Sequence, residues 1–479
     1  MVFSSLVFLT VFLPAVVILY YLAPSILWKN TVLLLASLFF YAWGEPKYVF
    51  LMMLSILVNY CAGLSIHHVK LGGKRGRLLL AAGILFNLAL LVYFKYFNFL
   101  AECAIRFLHR SISMKEIVLP IGISFFTFQS MSYVIDVYRE DAGDESSYVV
   151  QKNLLSLALY ISMFPQLIAG PIVRYHDIQP RLSQREHSVS KFAQGIETFV
   201  IGLSKKVLIA NVLGETVNQI IEVNSGMVNA PIAWLGAICY SLQLYYDFSG
   251  YSEMAIGLGR MFGFEFQINF NFPYISTSVS EFWRRWHISL SSWFRDYLYI
   301  PMGGSKRGNT YFHLFIVFLA TGLWHGAAFG FVLWGLWHGA FVILERWARD
   351  KGIHLPIPKP VRWLFTMLVV VLGWTLFRIV GIRSTLDYYS VMFGLTRPAF
   401  LRYSLAWYLN ARTVTALAAA CFFSVPWKSV VRDRFPGAAS VLQGGAITFA
   451  KRLLILVLLL ACYLFVANST YNPFIYFRF

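Results

Sequence analysis

Charge is what this chain has least of. Of its 479 residues only 13% are Asp, Glu, Lys or Arg, whereas 58% are apolar and the mean hydropathy is +0.63. Ordinary soluble domains carry about twice that share of charge, so a water-soluble fold is excluded and a polytopic membrane protein is indicated. Cysteine is scarce too: Cys61, Cys103, Cys239, Cys421 and Cys462 are scattered, mostly within apolar stretches, and form no CxxC pair. That spacing offers neither a disulfide framework nor a zinc site. The first apolar stretch begins almost at Met1 without a basic n-region or a clear small-residue cleavage site, so it reads as a retained span. No long low-complexity or Ser/Pro-rich linker interrupts the chain, which makes one membrane domain, residues 1–479, the simplest partition.

What is present is a series of apolar runs. Crossing a hydrocarbon layer takes about 20 mainly apolar residues. Phe3 to Ala23, Tyr48 to Ile66, Leu78 to Phe97, Ile117 to Tyr138 and Asn153 to Pro171 qualify, followed by Ile196 to Val217, Pro231 to Leu244, Tyr311 to Phe329, Phe331 to Leu344, Trp363 to Val380 and Leu453 to Ala467. Thr31 to Trp43 and Thr413 to Val425 are short for full crossings and fit tilted or re-entrant helices. The expectation is about ten to twelve spans.

The net charge of +18 does not point to nucleic acid, because the basic residues fall in separate loops such as Lys70 to Arg77, Arg346 to Lys351 and Lys428 to Arg434. This is the positive-inside bias of a membrane protein. It places the Lys70 to Arg77 loop in the cytoplasm. Counting forward puts the acidic Asp136 to Glu145 loop on the same side and Arg106, Arg110 and Lys115 outside, so the rule orients only the first loop.

Character changes along the chain. Residues up to about 138 and beyond about 363 look like scaffold, whereas a functional centre is expected at about 164–340, where polar, charged and aromatic residues crowd the apolar background. Phe164 to Pro171, followed by Arg174, holds two prolines and a glycine that break a helix and free carbonyls; it suits either a cavity wall or a helix end reaching the headgroups. In Leu244 to Met254, Asp247 and Glu253 are offset by roughly 240° on a continuous helix and make no obvious acid/base pair. Asp247 fits either a helix-orienting or a site role. In Glu281 to Asp296, aromatic and basic residues alternate as in an interfacial amphipathic helix. Its arginines suit lipid phosphates or those of an acyl donor, and His287 stands four residues before Ser291.

The hexapeptide Gly322 to Ala327 recurs unchanged at Gly335 to Ala340, each copy with a histidine. Were Trp324 to His338 one helix, His325 and His338 would point roughly 220° apart, and only one would line a given cavity. A membrane histidine is either structural, bonded to a carbonyl, or functional, since a neutral imidazole suits taking a proton from a hydroxyl that attacks an ester or thioester. No Gly-x-Ser-x-Gly elbow argues for a serine acyl-enzyme.

Pro165 to Pro171, Tyr246 to Ser252, Phe282 to Ser291, Arg295 to Pro301 and Gly322 to Gly326 together resemble the membrane-bound O-acyltransferase family and, within it, the bacterial branch that O-acetylates alginate. Met1 to Ser5 and Phe40 to Trp43 resemble that branch as well, and the likeness runs in order over nearly the whole chain. The resemblance implies an all-α, polytopic multi-helix bundle around a central tunnel. It maps the family's invariant histidine onto His325 and its second histidine onto His287, and leaves His338 structural. Joined to the residue chemistry, this makes His325 the expected catalytic base and His287 the group expected to bind or orient the acyl carbonyl, with Asp247, Arg284 and Arg285 expected to shape the site as substrate-binding residues. It further implies no bound cofactor, acetyl-CoA as donor substrate and the bacterial cytoplasmic (inner) membrane as location. The acceptor would be an extracytoplasmic polysaccharide, served by a secreted or membrane-tethered partner acetyltransferase.

Two other readings compete: acyl transfer to peptidoglycan or teichoic acid, and polysaccharide or lipid transport without covalent chemistry. The absence of a convincing inverted repeat and a requirement for His325 separate transferase from transporter.

Overall fold

The computed structural model describes residues 1–69, 73–109, 114–141, 150–222, 225–353, 355–398, 400–434 and 445–468. Arg110 and parts of the Lys70 to Arg77 and Asp136 to Glu145 loops lie outside these. Every regular element among the described residues is helical. The chain is a multi-pass, all-α membrane protein. Among the described residues five helices are long and apolar enough to cross a membrane: Ile26–Gly44, Tyr48–His68, Lys74–Phe107, Lys359–Ile379 and Ile447–Asn468. Phe8–Leu22, Thr310–His325 and Ala411–Phe423 are apolar but shorter.

The chain forms two compact units, Met1–Phe199 with Met254–Gln267, and Val200–Glu253 with Ile268–Phe479. In the first, small and amide side chains let apolar helices meet. Gly63 faces Tyr133 so closely that a Cβ would lie 2.5 Å from the phenol oxygen. Buried Asn59 and Asn87 exchange amide hydrogen bonds at 2.7 and 3.2 Å, which ties Tyr48–His68 to Lys74–Leu91 where apolar contact alone gives little driving force.

The run Asn153 to Pro171 is not one span. Asn153 caps Leu154–Ser162, Met163 leaves helical geometry, and Phe164–Leu167 forms a separate turn. Gly170 closes against it, since a Cβ there would lie 2.5 Å from the Gln166 Cα. One carbonyl freed by the break, that of Tyr160, accepts from the Gln166 amide at 2.5 Å.

In the second unit, the stretch expected at Pro231 to Leu244 belongs to a much longer helix, Ala230–Met261. Where it crosses the segment around Gly202, a Cβ on Gly250 would sit 2.7 Å from the Gly202 carbonyl oxygen. The two hexapeptide copies lie on adjoining helices, Thr310–His325 and Phe329–Asp350, separated by a turn whose Gly326 and Ala328 are extended. The copies face one another: a Cβ on Gly335 would lie 3.1 Å from both Cα and N of Gly322. The repeat thus makes a tight helical hairpin, and the single helix through Trp324 to His338 does not exist.

Candidate active site

The stretch Glu281 to Asp296 is not a continuous interfacial helix. Val279–Arg285 and Ile288–Phe294 are separate helices, with Trp286 extended and His287 left-handed at φ 44°, ψ 53°. The first is pinned at its start: Ser278 accepts from the Glu281 amide at 3.0 Å, and the Glu345 carboxylate accepts from the amides of Val279 and Ser280 at 2.6 and 2.8 Å. Phe282, Trp283, Trp286 and Trp293 are buried in place of lying on a membrane surface. The rings of Phe282, Trp283 and Trp286 pack on one another, on the hairpin and on Lys359–Ile379, as in the Trp286–Trp374 pair at 4.7 Å, and Trp293 packs on Phe294 and Tyr297.

A left-handed backbone at a residue with a side chain costs about 1–3 kcal/mol and persists only where surroundings enforce it. Asn269 supplies the enforcement at His287. Its backbone carbonyl accepts from Ile288 N at 2.9 Å, and its side-chain oxygen accepts from Ser289 N at 3.2 Å and Ser289 Oγ at 2.9 Å. The same oxygen lies 3.2 Å from Nδ1 of His287. Because that oxygen is fixed as an acceptor by the Ser289 amide, the neutral imidazole carries its proton on Nδ1 and leaves Nε2 as an acceptor.

His287 is 1% exposed, with Phe248 perpendicular to it at 4.6 Å. Trp324 lies 6.1 Å away, and the same indole is 4.9 Å from His325. His325, the last residue of its helix, is buried against Trp334 at 4.9 Å and Phe377 at 5.3 Å. The structure therefore sets His287 and His325 on the same indole. His338 is fully buried on the far helix of the hairpin, 5.4 Å from Trp334 and nearly parallel to Phe282 at 6.4 Å.

Of the other candidates, Asp247 and Arg285 have partners of their own. Asp247 and Lys206 form a buried ion pair at 2.6 Å, each side chain 2% exposed. Phe248, the next residue, carries that anchorage to His287. Arg285 is bound to Glu281 at 3.0 Å and to the Asn271 carbonyl at 3.1 Å, whereas Arg284 is exposed. Lys206, Asn269, Trp324 and Trp334 were not singled out from sequence. A lysine inside the apolar run Ile196 to Val217 was the available signal for Lys206; nothing local marks Asn269. Among the described residues no group of three His, Cys, Asp or Glu side chains is placed to hold a metal.

Comparison with known proteins carries the geometry to a class. The model of the membrane-bound O-acyltransferase family matches residues 35–391. The chain is 40% identical over 498 aligned residues to a probable alginate O-acetylase of Pseudomonas putida, covering all of both proteins. It is 32% identical to a peptidoglycan O-acetyltransferase of Helicobacter pylori, covering all of this chain and 98% of that one. A teichoic acid D-alanyltransferase of Bacillus subtilis is 29% identical over 52% of this chain and 65% of its own length. With a buried two-histidine centre inside a family match that covers most of its length, this chain belongs to the membrane-bound O-acyltransferase family and is an acyltransferase.

Proposed function

We propose that the protein moves an acetyl group from acetyl-CoA across the bacterial inner membrane for O-acetylation of an extracytoplasmic polysaccharide such as alginate, with His325 as general base. The observation that carries this is the pair His287 and His325 against Trp324, in a chain 40% identical end to end to a probable alginate O-acetylase.

The chemistry follows from the residues. An acceptor hydroxyl gives its proton to His325 while its oxygen attacks the thioester carbonyl carbon. The new C–O bond forms, the C–S bond breaks as the tetrahedral intermediate collapses, and the proton passes from the imidazolium to the departing thiolate. A positioned base of this kind contributes about 10²–10⁴-fold. His287 orients the acyl group: neutral, its Nε2 accepts from a hydroxyl; protonated, it donates to the acyl carbonyl. Asp247, through Lys206 and Phe248, and Arg285, through Asn271, hold the ground on which His287 sits. Arg284 is free to meet an anionic group of a substrate. The acceptor hydroxyl belongs to the polymer or to a partner acetyltransferase that completes the transfer.

The test is the O-acetyl content of cell-surface polymer, released by mild alkali, from strains carrying wild-type, His325→Ala or His338→Ala protein at matched levels. Loss with His325→Ala and retention with His338→Ala is expected. Normal acetate with His325→Ala would sink the assignment and favour transport without covalent chemistry.

A further inference from the structure

A second charged cluster lies in the first unit around Tyr20. This tyrosine is fully buried, and its hydroxyl donates to the Phe262 carbonyl at 2.8 Å. It must therefore accept from its two other neighbours, Nε2 of His187 at 2.8 Å and Nε of Arg185 at 3.2 Å. Gly263, at φ 81°, makes room for them, since a Cβ there would lie 3.2 Å from Arg185 Cβ and 3.3 Å from the His187 ring. The Arg185 guanidinium lies 4.3 Å over Phe264, and the Lys29 ammonium lies 5.4 Å from the Tyr20 ring centre.

The charges there do not balance. Arg185 spends Nη1 on the Arg181 carbonyl at 3.1 Å, and its Nη2 is buried with no hydrogen-bond partner among the described residues. The nearby carboxylates are taken by other cations: Glu265 by Arg181 at 2.8 Å and Lys191 at 3.8 Å, and Glu186 by Lys191 at 3.2 Å. Among the described residues no carboxylate pairs with Arg185 or Lys29. Burial, followed by the charges of Lys29, Arg185 and Lys191, holds His187 below the ordinary histidine range, as a net positive environment requires. A largely buried guanidinium without a counter-ion is costly, and a bound anion is what removes that cost.

We infer that Arg185 and Lys29 form a binding site for a phosphate group. Arginine's planar fork matches phosphate oxygens, and lysine adds a point charge. The place fits a membrane surface. Ile26–Gly44 and Tyr48–His68 are joined by a three-residue connection, so Lys29 lies at the membrane face reached by the end of the second helix. That is the face the Lys70 to Arg77 loop assigns to the cytoplasm. Trp28 and Tyr21, 58% and 41% exposed, flank the site as interfacial aromatics do. The phosphate belongs either to an anionic phospholipid headgroup or to a soluble nucleotide-bearing donor, and the inference does not depend on the role of His325.

The experiment uses the full chain in phosphatidylcholine nanodiscs and reads its thermal midpoint. One arm replaces increasing fractions of the lipid by phosphatidylglycerol; the other adds adenosine 3′,5′-bisphosphate to pure phosphatidylcholine discs. A rise with phosphatidylglycerol alone identifies a headgroup site, and a rise with the bisphosphate identifies a soluble phosphate. In either case Lys29→Gln should raise the half-saturating ligand level roughly tenfold, the loss of about one charged hydrogen bond. Arg185→Gln should do the same; because it also removes a donor to buried Tyr20, the variant at the partly buried Lys29 decides if Arg185→Gln fails to fold. No rise with either ligand, or an unchanged half-saturation in Lys29→Gln, overturns the site.

Discussion

His287 and His325 lie against one indole, that of Trp324, at 6.1 and 4.9 Å between ring centres. The two imidazoles come from segments nearly forty residues apart, and Trp324 is a neighbour of both rings. Misplacing a catalytic group by about 1 Å costs on the order of 10²-fold. Trp324→Phe, which keeps an aromatic spacer, should therefore retain acetylation within about tenfold, and Trp324→Ala should lose on the order of 10²-fold at matched protein level. Equal retention in both variants would show that the indole does not set the geometry.

His338 has the same local sequence as His325 and a different environment. Both its ring nitrogens are buried without a hydrogen-bond partner among the described residues, and a Cβ on Gly373 would lie 2.5 Å from its Nε2. It behaves as an aromatic filler against Phe282 and Trp283. His338→Phe should leave polymer acetylation near wild type. His338→Ala should lower stability by about 3–5 kcal/mol, the cost of truncating a buried ring. Abolished acetylation in well-folded His338→Phe protein would instead give the second histidine a chemical role.

How much of this was legible in the sequence can be traced residue by residue. The apolar runs announced helices because a backbone in lipid has to satisfy its own hydrogen bonds, and the break near Pro165 announced itself through proline chemistry. The repeated hexapeptide announced a relation between its copies, but the relation is spatial: Gly322 and Gly335 touch because the chain turns at Gly326 to Ala328. The apolar runs already part the copies near Phe329, but nothing in their periodicity shows that the two helices pack glycine to glycine. Periodicity also read Glu281 to Asp296 as one surface helix, because nothing local shows that Asn269 fixes His287 in a left-handed conformation. Long-range constraints of that kind leave no periodic trace.

Lys206 and Asp247 supply a sharper test of structure against chemistry. Both are 2% exposed and paired at 2.6 Å, on two helices that cross at Gly202 and Gly250. Removing one partner of such a pair typically costs 3–5 kcal/mol because the other charge is left buried alone, whereas replacing both with apolar groups is often neutral. Lys206→Met and Asp247→Leu should each lower the thermal midpoint and the amount of protein in the membrane. The double variant should recover most of that loss. If acetylation stays absent in a stable double variant, Asp247 contributes more than anchorage; if acetylation returns, the pair only positions Phe248 and His287.

The first unit contributes a pH dependence of its own. His176, on the short polar helix Tyr175–Ser183, has Nδ1 3.0 Å from Asp136 and Nε2 3.3 Å from Asp177, and Asp177 also pairs with Arg174 at 2.9 Å. Burial disfavours its cation, but the two carboxylates outweigh burial and raise its pKa to about 9. An unfolded histidine titrates near 6.5, so the folded state holds the proton more tightly. The resulting stabilisation is fully present below about pH 6.5, declines as the pH rises towards 9, and is gone above it. Its size is reduced by partial solvent access to the cluster. The thermal midpoint of wild-type protein should exceed that of His176→Gln most at pH 6, and the gap should close by about pH 10. A gap independent of pH across this window would mean that the imidazole contributes packing and hydrogen bonds without the charge.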